Sequence, residues 1–159
     1  MANCFVDTSA LIKKYSPDDN DLIGAAEMSD LVATSNAIYV SAITRIEMIA
    51  TLARKGNASS TAMRKSKQAI GQFDEDYGDI YRVIPCSPDV LDIARRLAES
   101  GRLFGCDAIQ LASAIFLLGG IKRAGRDDLV FVSSDERLNA AAVVADLTVD
   151  NPSKRKRGA

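Results

Sequence analysis

The sequence predicts an α/β domain built on a central, mostly parallel five-stranded sheet, and three observations carry that prediction. Five short segments rich in β-branched and aromatic residues recur at 3–7, 37–40, 79–84, 129–133 and 147–149. At least one helical pattern separates each from the next, and such long intervals suit crossover connections rather than hairpins. The 159 residues, 47% of them hydrophobic and 26% charged, suit one domain that buries roughly two thirds of its unfolded surface.

Taken in order, NCFVD at 3–7 reads as the first strand, and Asp7, Thr8 and Ser9 hand it over to a helix at 8–16. A second helical pattern fills 20–35 before the strand at 37–40. The stretch SAITRIEMIATLARKG, 41–56, repeats apolar residues at helical spacing and stops at Gly56; another helix follows at 58–77. After the strand at 79–84, Ser87 and Pro88 supply the N-cap and first position of a helix over 88–101 that Gly101 ends. A strongly apolar helix covers 106–118, and 119–128 reads as a polar, glycine-containing loop. The strand LVFVS leads into a helix at 135–145, with Ser133 and Glu136 spaced as a capping box, and a last short strand ends the domain at residue 150. Residues 151–159, basic and without periodicity, read as a separable, disordered tail.

Several chemistries are excluded at once. The chain contains no histidine, which removes Ser-His-Asp and Cys-His catalysis and histidine-ligated zinc. Its three cysteines, Cys4, Cys86 and Cys106, are widely spaced and form no CxxC pair, so neither a disulfide framework nor a thiolate metal site is expected. Neither a signal segment nor an apolar run of about 18 residues is present, so a cytoplasmic protein without membrane attachment is expected. A GxxxxGK[ST] phosphate loop is absent.

Carboxylates remain. In an open parallel sheet the strand ends share one edge, and sites are built there. Asp7 ends the first strand and Asp135 follows the fourth, while Asp107 stands in the first turn of the apolar helix. Glu47 lies inside its helix, one turn after Ile43 and near Ala50 and Ala53 on the face expected to point inward. A helix cap explains each aspartate taken singly, and Glu47 can be read as a residue snorkelling at the edge of an apolar face. Four acids on one edge would repel one another, a cost that a divalent cation removes. With oxygen donors alone the ion should be hard, Mg²⁺ or Mn²⁺.

The segments FVDTSALI, SAITRIEMIATLARKG, DAIQLASAI and FVSSDERLNAAA resemble the successive motifs of PIN-domain ribonucleases, in particular VapC-type toxins of toxin–antitoxin modules. The resemblance covers the chain from Asn3 to about Val149. It implies a PIN-like three-layer α/β/α fold and a metal-dependent endoribonuclease that leaves 5′-phosphate ends. Asp7, Glu47, Asp107 and Asp135 would form its catalytic and metal-binding quartet, with Thr8 and Ser133 supporting them. Asp7 and Asp107 would be direct ligands, and Glu47 and Asp135 weaker or water-mediated ones. Many relatives carry histidine where this chain has Gln110, a position expected to be peripheral to the acids. The resemblance further implies an RNA substrate, a cognate VapB-like antitoxin that lays an arginine across the acids, and a homodimer, for which the apolar helices at 25–32 and 43–52 are candidate surfaces.

A net charge of −1 gives no general attraction to nucleic acid, so any RNA contact must be local. Arg45, Arg54 and Lys55, with Arg64, Lys65 and Lys67 after them, are candidate phosphate contacts, as are Lys154, Arg155, Lys156 and Arg157 in the tail. The run Asp74, Glu75, Asp76 reads as a solvated helix end, and no interleaving of aromatic and basic residues marks a base-stacking platform. Two rivals to the nuclease stay open. One is another Mg²⁺-dependent phosphotransfer protein, although a haloacid-dehalogenase-like phosphatase would need an aspartate where Ser9 stands and a receiver domain would need an acidic pair that is missing. The other is a non-catalytic PIN-like scaffold that binds RNA or a partner.

Overall fold

The computed structural model describes residues 2–17 and 20–155. Strands β1 (Asn3–Val6), β2 (Ala37–Ser41), β3 (Tyr81–Ile84), β4 (Leu129–Val132) and β5 (Thr148–Asp150) form one sheet in the order β3-β2-β1-β4-β5. Every pairing is parallel, so the sheet expected to be mostly parallel is wholly so. Around it lie α1 (Thr8–Tyr15), α2 (Leu22–Thr34), α3 (Thr44–Gly56), α4 (Ser60–Asp79), α5 (Pro88–Glu99), α6 (Gly105–Arg123) and α7 (Glu136–Val144).

Alternation along β1 separates the two faces of the sheet. Cys4 and Val6 join Leu11, Met28, Met48, Leu52 and Phe73 under α1 to α4. Phe5 points the other way, stacks on Phe131 with ring centroids 5.8 Å apart, and packs with Leu111, Leu118 and Leu138 of α6 and α7. The result is three layers, α/β/α, with β1 buried at the centre. α6 is long and apolar enough to cross a membrane, but its buried residues pack on the sheet and against α5.

Three expectations are corrected. Residues 119–123 continue α6 rather than forming a loop, because Leu118 and Ile121 remain on the buried face and outweigh the poor helix propensity of Gly119 and Gly120. The stop comes at Gly125, whose φ of +75° suits glycine and whose N–H bonds to Lys122 O at 2.9 Å. Asp76 is buried rather than solvated: its carboxylate accepts from Lys14 Nζ and Tyr15 OH, both at 2.6 Å, and from Gln72 Nε2 at 3.0 Å. Residues 151–155 continue the domain instead of leaving it. Pro152 is buried, Ser153 Oγ donates to Asp21 at 2.6 Å, and Arg155 bridges Asp150 and Glu27. Lys156 and Arg157 lie outside the described residues.

On α3 the buried stripe is Thr44, Met48, Leu52 and Gly56, so Ala50 and Ala53 face outward and Glu47 stands at the stripe's margin. Gly56 lets α4 approach, since a Cβ there would lie 2.9 Å from Ser66 Cβ. Ser66 in turn donates to Leu52 O at 2.7 Å. These contacts hold the end of α3 against α4, while its start, and with it Glu47, follows β2 at the C-terminal edge of the sheet.

Candidate active site

At that edge Asp7 leaves β1, its N–H held by Val132 O of β4 at 2.9 Å, and becomes the N-cap of α1 in extended backbone. Its side chain is buried, and among the described residues it forms no ion pair. Oδ2 takes all the bonds: Ser9 N at 3.1 Å, Ser9 Oγ at 2.6 Å and Ser133 Oγ at 3.0 Å. Burial pushes the carboxyl up to about 6, against those hydrogen bonds and with help from the negative charge of Glu47.

Glu47 is held from two other elements. Thr8 Oγ1 donates to Oε2 at 2.7 Å, and Gln110 Nε2 lies 2.6 Å from the same oxygen. Gln110 also lies 2.9 Å from Thr8 Oγ1 and 3.1 Å from Thr44 Oγ1, so its two amide protons serve three acceptors. It is buried at 1% exposure, which makes it the hub of α1, α3 and α6 rather than a peripheral residue.

Asp107 sits in the first turn of α6 and accepts from Arg137 Nη2 at 3.0 Å. Burial first, then the charge of Asp135, raise its carboxyl above the usual range, while Arg137 offsets them. Asp135 is the N-cap of α7, with Oδ1 accepting from Arg137 N at 2.8 Å and Leu138 N at 3.1 Å. Ser133 therefore does not cap this helix as the capping-box spacing suggested; its hydroxyl joins Asp7 to the N–H of Asp135, 3.1 Å away.

All four acids thus lie along one strand edge, coupled in sequence by charge from Asp7 through Glu47 and Asp107 to Asp135. A profile of the PIN domain matches residues 4–144.

The chain belongs to the PIN domain family.

Three solved structures have the same fold. FitAcB from Neisseria gonorrhoeae is 18% identical, with a TM-score of 0.65 over 96% of this chain and 99% of that one. VapBC2 from Rickettsia felis, bound to a fragment of its promoter DNA, is 13% identical, with a TM-score of 0.59 over 94% and 98%. VapC20 of Mycobacterium tuberculosis, a toxin that cleaves the sarcin–ricin loop, is 18% identical, with a TM-score of 0.59 over 87% and 94%. No protein of curated function matches the chain by sequence.

Within this PIN domain each acid has one oxygen committed to the protein: Asp7 Oδ2, Glu47 Oε2, Asp107 Oδ2 and Asp135 Oδ1. The donor set, carboxylate oxygen without histidine or thiolate, fits a hard divalent cation. Among the described residues, however, no three acids already stand at metal-binding distances from one another. Arg137 contributes to this, pairing with Asp107 and lying 3.9 Å from Asp135 Oδ2.

Of the basic residues expected to contact RNA, Arg45 is paired with Asp74 at 2.9 Å, Arg54 bonds to Thr51 at 3.2 Å, and Lys55 bonds to Ser16 Oγ at 3.1 Å. Arg54 and Lys55 also follow Glu47 by about two helical turns, some 10 Å of rise along α3. Four further residues complete the site: Ser9 and Gln110, neither of which was expected to hold the acids, and Arg137 and Phe104, which were not singled out in the sequence, with Arg137 4.6 Å above the Phe104 ring. DTS, DAIQ and DERL contain three of them, but their pairings cross more than a hundred residues or join different helices.

Proposed function

We propose that this PIN domain is a metal-dependent endoribonuclease acting in the cytoplasm as the VapC-like toxin of a type II toxin–antitoxin pair. The observation that carries the reading is the row of four half-committed carboxylates on the C-terminal sheet edge. A bound Mg²⁺ or Mn²⁺ would lower the pKa of the attacking water and offset charge developing on the phosphodiester. The protein's part is placement. Ser9 and Ser133 fix Asp7 through Oδ2, so that Asp7 and Asp107 would be the residues that hold the ion directly, Asp107 in place of its pairing with Arg137. Thr8 and Gln110 hold Glu47 in one orientation, from which it and Asp135 would orient the ion and its waters. Oxygen ligation explains how hydrolysis proceeds without a histidine base.

The VapBC2 and FitAcB likenesses support a partner antitoxin, whose arginine would pair with these carboxylates. RNA as the substrate is supported by VapC20. A homodimer is part of the same proposal. Exposed Ile46 on α3 and Leu22 and Ile23 on α2 are the apolar residues that such a contact would cover.

A second reading, a PIN scaffold without catalysis, is favoured by the open arrangement of the acids. One experiment separates them. Purified protein is incubated with a mixed pool of structured cellular RNAs in Mg²⁺, Mn²⁺ or EDTA, beside Asp7→Asn and Asp107→Asn, and product ends are mapped. Metal-dependent cuts with 5′-phosphate ends, lost in both variants, support the nuclease. No cleavage, together with no Mn²⁺ affinity that depends on Asp7 and Asp107, supports the scaffold.

A further inference from the structure

Next to the acids, the end of α5, the segment before α6 and the outer side of α7 enclose a groove of about 350 Å³. Leu97, Leu103 and Val144 give it apolar walls, and three arginines line it: Arg96, Arg102 and Arg137. Arg137 joins the groove to the acids, with Nη2 3.0 Å from Asp107 and its guanidinium over the ring of Phe104. Arg96 and Arg102 make no ion pair among the described residues, whereas Arg95 beside them is paired with Glu99. Phe104, apart from the Arg137 guanidinium on its ring, and Val144 are open to solvent, 70% and 88% exposed, an unusual place for apolar side chains.

Two unpaired guanidinium groups beside an apolar wall fit a ligand that is anionic at one end and flat and apolar at the other. The volume suits a unit of nucleotide size. A base held in a duplex cannot turn its face to Phe104 or the groove wall, but an unstacked base in a single strand can. A molecule with a net charge of −1 needs such a local cationic site to hold a polyanion at all.

We propose that this groove binds the single-stranded RNA segment adjoining the scissile phosphate, with phosphates on Arg96 and Arg102 and a base against the apolar wall beside Phe104. The inference rests on the ribonuclease reading above. Arg137 is the boundary between the two sites, facing carboxylates on one side and the incoming strand on the other.

The test is fluorescence anisotropy of a labelled single-stranded RNA with the full chain in EDTA, across a KCl series, for wild type, Arg96→Ala/Arg102→Ala and Val144→Glu. The double variant should bind at least tenfold more weakly and lower the salt slope by about 1.4, two phosphate contacts at about 0.7 each. Val144→Glu should weaken binding in the same direction, and Mn²⁺ affinity should be unchanged in both. Wild type that binds and cleaves RNA, beside a double variant with unaltered affinity and slope, overturns the groove and leaves the nuclease standing. Variants that change the sedimentation coefficient and not RNA affinity also overturn it, because the groove is then a contact between copies. Wild type that neither binds nor cleaves RNA overturns both readings.

Discussion

Replacing Asp7 by asparagine keeps the shape of the side chain and an acceptor oxygen for Ser9 and Ser133, and asparagine caps a helix as well as aspartate does. What disappears is a buried charge. In the folded protein the carboxyl is raised from 3.8 to about 6. That difference corresponds to about 3 kcal/mol at 1.36 kcal/mol per pH unit. Below pH 3.8 both folded and unfolded chains hold the proton, and no penalty exists. As pH rises from there to about 6 the unfolded chain has released its proton while the folded one retains it, so Asp7 lowers stability progressively and by its full amount above pH 6. Urea denaturation in EDTA should therefore find Asp7→Asn more stable than wild type by about 1–3 kcal/mol at pH 7.5, with the difference vanishing near pH 4. An asparagine variant that is no more stable at pH 7.5, with a pH profile parallel to wild type, would show that the serine hydroxyls fully compensate the charge. Asp7 would then be a helix cap and the argument for a stored electrostatic cost would fail.

Other substitutions probe the surrounding frame. Gln110→Ala strands the buried side of Glu47 and the hydroxyls of Thr8 and Thr44, and should cost about 2–4 kcal/mol in thermal or urea unfolding. Asp76→Asn should act with the sign opposite to Asp7. Burial alone would raise that carboxyl, but Lys14, Tyr15 and Gln72 bring it below the usual range, so its contribution is present above pH 3.8 and is lost as pH falls through the lowered value. Unfolding midpoints should fall by the equivalent of about 2 kcal/mol at pH 7, with the gap closing toward pH 3. Gly56→Ala pushes a methyl to 2.9 Å from Ser66 Cβ and should destabilise by about 1–3 kcal/mol, read as a lowered melting temperature.

The strands were legible because each is short, β-branched and bounded by helical periodicity, and the parallel arrangement followed from the length of the crossovers. The positions of Asp7 and Asp135 were legible because strand ends in a parallel sheet share an edge, whereas Glu47 was read from a face with Ala50 and Ala53, which point outward. Harder to read was whatever depended on a distant partner. Asp76 sits in a run of acids that reads as surface, and only Lys14 and Tyr15 of α1 make its burial tolerable. Gln110 looks like an ordinary helix residue until Glu47, Thr8 and Thr44 converge on it. Gly119 and Gly120 signal a break by propensity, and the packing of Ile121 overrides it. The groove joins residues from three separate parts of the chain, so no local aromatic and basic pattern could announce it.

The position of β1 at the centre of the sheet also has a bearing on how the molecule comes into being. Chains are synthesised from the N-terminus, and Asp7 emerges well before the Ser133 hydroxyl that steadies it, 126 residues further on. β1 cannot be flanked on its second side until β4 is made. A chain ending before β4 therefore carries Asp7, Glu47 and Asp107 without the central strand pairing, the Ser133 hydroxyl and the Asp135 carboxylate that complete the row. Closing the centre of the sheet across so long a loop is also slow relative to local pairing.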